Sequence, residues 1–298
     1  MRLSKTTRKK INSALLFAAF TGPALLFVFF ATNIPFLMNL YYSVFDWNGI
    51  SSSMKYVGLN NFIKLFTSDR LFGKSVLFTA RYAVFYVAIV NALALTIAVS
   101  LSKPKRINNF GRSFYYVPYI ISLTALSLIW KFIFGPGFES LAALTGWEFF
   151  NWSWVGSSGL AFYVVVIMTV WQNVGFYMII YIAGLMAVPQ DTLEAATIDG
   201  ATSLQTFRYI TFPLIMPAVS ICLLTSITFA LKLFDVILVF TKGGPANSTV
   251  SVAFNIYREA FSSNRYGMAT AKSLVFFVAV LIVTLVQTRI TKSKEVEG

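Results

Sequence analysis

The sequence predicts an all-α integral membrane protein of six spanning helices. Three observations carry that prediction. Of its 298 residues 57% are hydrophobic and only 12% are charged, against the ~25% charged residues usual in soluble domains. The apolar residues come in runs that approach or exceed the ~20 residues a helix needs to cross the hydrocarbon core at ~1.5 Å per residue. The basic residues flank those runs, as orientation signals do. They form no stripe interleaved with aromatics, so the net charge of +13 does not point to nucleic acid.

The spans fall at about 12–40, 76–102, 113–134, 159–186, 212–241 and 268–289. The first follows Arg2, Lys5, Arg8, Lys9 and Lys10, which resembles the start of a signal peptide. No charge intervenes between Lys10 and Asp46, far beyond the ~7–15 residues of a signal core. An uncleaved helix is expected, carrying Pro23 and kinked or ended near Pro35. The second span holds Arg81 near one end, within snorkelling reach of the interface. In the third, eighteen residues separate Arg112 from Lys131, which puts Lys131 at the far interface.

With the N-terminus inside, the inner segments carry thirteen Lys and Arg and the outer segments seven. The positive-inside rule therefore places both termini in the cytoplasm. Among the outer segments, 58–74 has the apolar spacing of an interfacial amphipathic helix. Trp147, Trp152 and Trp154 suit an aromatic belt, and Lys242 to Ser248 is a turn-rich helix exit. The expected organisation is a cytoplasmic tail at 1–11, one membrane domain at 12–289 with a cytoplasmic loop at about 188–212, and a second tail at 290–298.

Composition narrows the chemistry. With no His and one Cys, thiolate–imidazole catalysis, histidine metal sites and an intrachain disulfide are excluded. Cys222 lies in an apolar run and reads as an inert buried thiol. Asp235 is the one acidic residue placed within a span, so a stand-alone secondary transporter or channel has little to build a proton relay from. No paired carboxylates or metal cluster lie within a span, which argues against an intramembrane enzyme. The stretch Tyr266 to Ser273 approaches a phosphate loop, but Tyr266 and Ala271 stand where Gly is needed.

The best-formed hydrophilic element is the loop Glu194-Ala195-Ala196-Thr197-Ile198-Asp199-Gly200, followed by Ile210 to Pro213. Asp191 and Glu194 have the spacing of a capping box, with Pro189 separating the loop from the fourth span. One short helix is expected to run to about Asp199 and to end at Gly200 in a left-handed conformation. A second, capped by Thr202 or Ser203, leads to Pro213. Two readings stand side by side: a well-capped connector, and a docking element whose small Ala195 and Ala196 face lets another protein approach.

The string Glu-Ala-Ala, three residues, Gly, nine residues, Ile resembles the coupling-loop motif of binding-protein-dependent ABC importer permeases. Its local form, with Phe207 and Pro217, is similar to the carbohydrate branch; Phe212 stands where the motif usually has Leu. The resemblance continues in Gly58-Leu59-Asn60-Asn61-Phe62, in Trp171-Gln172-Asn173-Val174-Gly175-Phe176 and in Ala183-Gly184-Leu185. It also takes in Phe234-Asp235, Thr241 to Pro245, Tyr266-Gly267 and Ala269 to Ala271, and so covers about residues 11 to 290.

This resemblance implies the type I ABC importer permease fold and a non-catalytic subunit that binds no cofactor of its own. ATP and Mg would be used by two copies of a separate ABC ATPase. The other implied partners are a homologous second permease, an extracytoplasmic solute-binding protein and a sugar, within a lipid bilayer. Glycerol phosphate or a related polyol derivative is the alternative solute. Glu194, Ala195, Ala196, Asp199, Gly200 and Pro213 would form the ATPase-coupling loop. Intramembrane polar residues are candidates for the solute path: Trp171, Gln172, Asn173 and Tyr177 in the fourth span, Lys232 and Asp235 in the fifth, and Asn91 in the second. Hydrogen bonding between helices explains Gln172 and Asn173 equally well, and a local ion pair does the same for Lys232 and Asp235.

Overall fold

A computed structural model describes residues 5–103 and 105–293. The two ends of the expected tails, 1–4 and 294–298, lie outside the described residues. The fold is mostly helical, with elements in the order α1 (Lys5–Val28), α2 (Ile34–Ser43), β1 (Phe45–Asp46), β2 (Lys55–Tyr56), α3 (Asn60–Thr67), α4 (Arg70–Leu101), α5 (Arg106–Ile120), α6 (Leu123–Phe132), α7 (Phe138–Thr145), α8 (Glu148–Asn151), α9 (Ser158–Met186), α10 (Gln190–Ile198), α11 (Ser203–Thr206), α12 (Phe212–Leu214), α13 (Met216–Leu231), α14 (Val252–Tyr257) and α15 (Tyr266–Lys292). The chain divides into two compact units, Met1–Thr67 with Arg258–Val275, and Ser68–Tyr257 with Phe276–Gly298.

Among the described residues, four stretches are single helices long and apolar enough to cross a membrane: Leu15–Ser43, Arg70–Leu101, Ser158–Met186 and Tyr266–Lys292. The expected third and fifth spans are not straight. Arg106–Ile120 meets Leu123–Thr145 at a 94° bend, and Ser203–Leu214 meets Met216–Leu231 at 70°. Proline accounts for both breaks. Pro118 lies in the last turn of α5, and Ile121 and Ser122 then turn extended, with ψ of 132° at each. Pro213 and Pro217 sit in the first turns of α12 and α13, where a missing N–H costs little. Lys131 lies in the last turn of α6, which ends at Phe132, and a kink at Gly135 (φ -111°, ψ -109°) separates it from α7. Pro35 does not end the first span. A π-helical turn at Phe29–Asn33 precedes it and the helix continues to Ser43.

In the smaller unit, β1 pairs with β2 antiparallel, Phe45 opposite Tyr56. Asn61 on α3 donates to the Ser43 and Phe45 carbonyls at 2.9 Å each. The expected amphipathic helix is therefore real but shorter, ending at Thr67. At the start of α15, Lys272 is fully buried and ion-paired to the equally enclosed Glu259, which also meets Arg265.

The larger unit is organised around α9, against which α4, α5 and α13 pack. Its seam on α4 is a stripe of every fourth residue, Tyr82, Tyr86, Val90, Ala94 and Ala98, all fully buried. That spacing keeps one helix face turned inward. The stripe narrows from Tyr to Ala, and small residues at one end let the backbones approach. Tyr82 Oη donates to Thr169 Oγ1 on α9 at 2.8 Å. Arg112 closes the far end of α4 by donating to the Leu101 carbonyl at 2.7 Å and that of Ser102 at 3.0 Å. Trp154 departs from the aromatic-belt expectation. It is buried within a ring cluster with Phe134, Phe138 and Phe149, whereas Trp147 and Trp152 stay exposed.

Candidate functional site

The candidate residues gather in two places, the loop between α9 and α13 and a cavity at the far end of α13. In the loop, α10 starts at Gln190, two residues earlier than a cap at Asp191 implies, with Pro189 in the capping position. Asp191 therefore lies within the first turn and makes no capping box with Glu194. Its charge there favours the helix dipole instead. Glu194 is exposed and accepts from Gln190 Nε2 at 3.4 Å.

The end of α10 is closed tightly. Asp199 is the C-cap, Gly200 follows at φ 78°, Ala201 N donates to the Ala196 carbonyl at 3.0 Å and Gly200 N to that of Thr197 at 3.1 Å. This pair of bonds is the Schellman arrangement, whose left-handed residue favours Gly. The capping box of this loop belongs to α11. Thr202 Oγ1 accepts from Gln205 N at 3.4 Å, and Gln205 Oε1 accepts from Thr202 N at 2.8 Å.

Both short helices are thus fixed at the turn that joins them. Ala196 is buried and Ala195 exposed, while Ile198 and Leu204 stand out at 86% and 76% exposure. The ends of the loop are pinned as well. A Cβ built on Gly184 of α9 would lie 2.6 Å from Ala218 Cβ of α13, so the two helices touch backbone to side chain at the loop's base.

The cavity holds about 650 Å³ and is lined by Leu123, Thr225, Thr228, Phe229, Lys232 and Asp235, among others. Sequence reasoning set Lys232 and Asp235 three apart on one helix, but α13 ends at Leu231 and the chain is non-helical at Leu233 and Phe234. No ion pair joins the two among the described residues. Both face the cavity instead.

The other candidates lie elsewhere. Asn91 accepts from Tyr181 Oη at 2.8 Å and donates to Ser226 Oγ at 3.0 Å, tying α4, α9 and α13 together. Gln172 Nε2 donates at 3.1 Å to the Ile121 carbonyl, the group freed at the α5–α6 break. Asn173 donates to the Thr169 carbonyl one turn back, Tyr177 is buried, and Trp171 is 42% exposed beside Trp130. The Tyr181 and Ser226 partners of Asn91, and the Glu259–Lys272 pair, went unread in the sequence. A hydroxyl within an apolar run was the available signal for the first, and Lys272 inside a span for the second.

The chain as a whole is similar to known proteins. Residues 90–296 match the family described as binding-protein-dependent transport system inner membrane component. The chain is 36% identical over 291 residues to the probable starch degradation products transport system permease protein AmyD of Thermoanaerobacterium thermosulfurigenes, covering 97% of this chain and 98% of that one. It is 32% identical to the multiple sugar-binding transport system permease protein MsmF of Streptococcus mutans, covering 98% of this chain and all of that one. Its fold is similar, with a TM-score of 0.81 and 20% identity over 95% of this chain and 98% of the other, to a chain of a bacterial alginate ABC transporter solved in complex with alginate pentasaccharide-bound periplasmic protein. By sequence across its whole length and by fold, the chain belongs to the inner membrane components of binding-protein-dependent transport systems.

Proposed function

We propose that this chain is one membrane-spanning subunit of an ATP-driven importer for a sugar or oligosaccharide. It crosses the inner membrane six times, each bent helix pair counting as one span, with both termini in the cytoplasm. A homologous permease, two copies of a cytoplasmic ATPase and an extracytoplasmic solute-binding protein complete the machine. This chain is its non-catalytic part, and ATP and Mg are used by the ATPase. The sugar is inferred from what the relatives' names state.

The observation that carries the coupling role is the loop from Gln190 to Phe212. Its two short helices are closed by a Schellman turn and a capping box, and they present exposed Ile198, Leu204 and Glu194. An element locked internally and pinned at its base by Gly184 against Ala218 passes a push onward rather than absorbing it. Closure of the ATPase pair then moves α9 and α13 between two packed arrangements. Glu194 supplies a polar contact to the ATPase, beside the small Ala195. At the other end of α13, Lys232 and Asp235 offer charges, and Thr225 and Thr228 hydroxyls, to a solute in the cavity beside Phe229.

The test is co-purification of the assembled transporter with Glu194→Ala and Gly200→Pro in turn. Retained ATPase and hydrolysis stimulated by loaded binding protein are the readouts. Both variants should lose stimulation while the membrane subunits stay assembled. Unchanged association and stimulation in both would make the loop a connector and refute the coupling role. Uptake of sn-glycerol 3-phosphate without uptake of any sugar would move the substrate to a polyol phosphate.

A further inference from the structure

The N-terminal half of α4 and the start of α9 border a separate open cavity of about 330 Å³, within the range of small-ligand sites. Its charge is one-sided. Lys74 and Arg81 line it, seven residues apart and so on one face of α4, and no Asp or Glu does. Neither cation meets a carboxylate among the described residues. Arg81 is nonetheless held in place, its guanidinium 4.2 Å from the Phe162 ring centroid and 5.8 Å from that of Phe85.

Two further features sit around the same space. Ser158 opens α9, a helix of 29 residues whose N-cap Ser157 makes no side-chain cap bond. The positive end of a long helix is therefore left uncapped beside the cavity. Across from it lie Ala246, Asn247 and Ser248, and the Ser248 hydroxyl is buried with no hydrogen-bond partner among the described residues. Two cations and a positive helix end repel one another unless an anion joins them. A cation near the end of a span usually finds an acid or snorkels alone; here Phe85 and Phe162 hold one cation on the lining it shares with the second.

We propose that this cavity is a binding site for a phosphate monoester or diester. Arg81 presents a planar fork suited to phosphate oxygens, Lys74 a mobile point charge, and the first turn of α9 a further set of N–H donors. The two Cα atoms are ~10 Å apart along the helix axis, close enough for two long side chains to share one headgroup. The phosphate comes either from an anionic phospholipid headgroup or from a free phosphate-bearing solute. The proposal does not depend on the imported solute being a sugar.

Native mass spectrometry of the purified, assembled transporter tests it, with phosphatidylglycerol or phosphatidylcholine added in one arm and sn-glycerol 3-phosphate or inorganic phosphate in the other. Retained ATPase subunit serves as the check on folding. Preferential retention of phosphatidylglycerol, lowered about fivefold by Lys74→Gln and again by Arg81→Gln, identifies a lipid site. Exposed Lys74 gives a variant that leaves the core packing intact. The same dependence seen for free phosphate, without lipid preference, identifies a solute site. Lys103→Gln, which removes a charge beyond the opposite end of α4, should change neither. The proposal is overturned if both arms are indifferent to Lys74 and Arg81, or if Lys103→Gln weakens binding as much as they do.

Discussion

Asn91 is the residue on which the two roles of a buried polar group can be separated. It was a candidate for the solute path, yet its side chain meets Tyr181 Oη, Ser226 Oγ and the Val87 carbonyl. Two of those bonds run between helices. Interhelical hydrogen bonds in membranes contribute ~0.6 kcal/mol each on average and up to ~1.7, so Asn91→Leu should cost about 1–3 kcal/mol. Tyr181 loses the Asn91 acceptor in that variant, whereas Ser226 still donates to the Leu223 carbonyl. Tyr181→Phe alone should therefore cost about half as much, and the double variant less than the sum of the two. The assay is thermal unfolding of the purified subunit in detergent, paired with uptake kinetics in vesicles. A melting temperature lowered by several degrees with KM unchanged is expected. A raised KM with unaltered melting, or strictly additive double-variant costs, would refute the structural role and return Asn91 to the solute path.

Further outcomes follow from other contacts. Glu259→Ala should destabilise by about 3–5 kcal/mol in thermal unfolding, because it removes the carboxylate ion-paired to buried Lys272; Glu259→Ala with Lys272→Met should recover most of that loss. Arg265→Ala, at an exposed partner, should cost under ~1 kcal/mol. Gly184→Ala forces α9 from α13 and should cost ~1–3 kcal/mol, with Ala218→Gly restoring both stability and ATPase coupling if the close approach is the cause. Gly200→Ala meets nothing within 4 Å, so its cost should be the left-handed backbone alone, ~1 kcal/mol, and Gly200→Ser should match it in melting curves. Asp235→Asn should leave melting within ~0.5 kcal/mol and raise the KM of uptake; equal KM values would remove Asp235 from the solute path.

The apolar runs of the sequence fall on helices, interrupted at Ile121–Ser122 and at Leu233–Phe234, because hydropathy reports burial in lipid or protein without needing any contact to be known. The loop was legible for a related reason. Gly200 and Thr202 act through bonds to residues within six positions of themselves. Asp191 and Glu194 show the limit of such local reading, since Pro189 set the helix start two residues earlier and the capping spacing lost its use. The breaks at Ile121 and Ile215 were hidden because a proline in an apolar run signals a kink without fixing its angle. Lys272 and Glu259 were hidden for a different reason. A lysine entering a span looks like an interfacial charge until its partner, thirteen residues away, is brought against it.

The polar residues of the apolar core divide by whether the backbone around them is regular. Where the helices are continuous, as at Asn91 and Thr169, the side chains bond across the crossings. Where a helix breaks, the freed carbonyl is met by a side chain from elsewhere: Ile121 by Gln172, and Leu233 by Ser251 Oγ at 2.6 Å. In lipid an unsatisfied carbonyl costs several kcal/mol, so these bonds are what make the breaks tolerable. At the second of these breaks the two charged side chains, Lys232 and Asp235, join no ion pair among the described residues and line an open cavity. Irregular backbone at membrane depth is stable where it is buried in protein or lines a hydrated space. The end of α13 meets both conditions, while its beginning, fifteen residues earlier, adjoins the pinned base of the loop. One short helix thus joins the proposed lever to the proposed solute cavity, and a displacement of its first turn has no second bend along its length in which to dissipate.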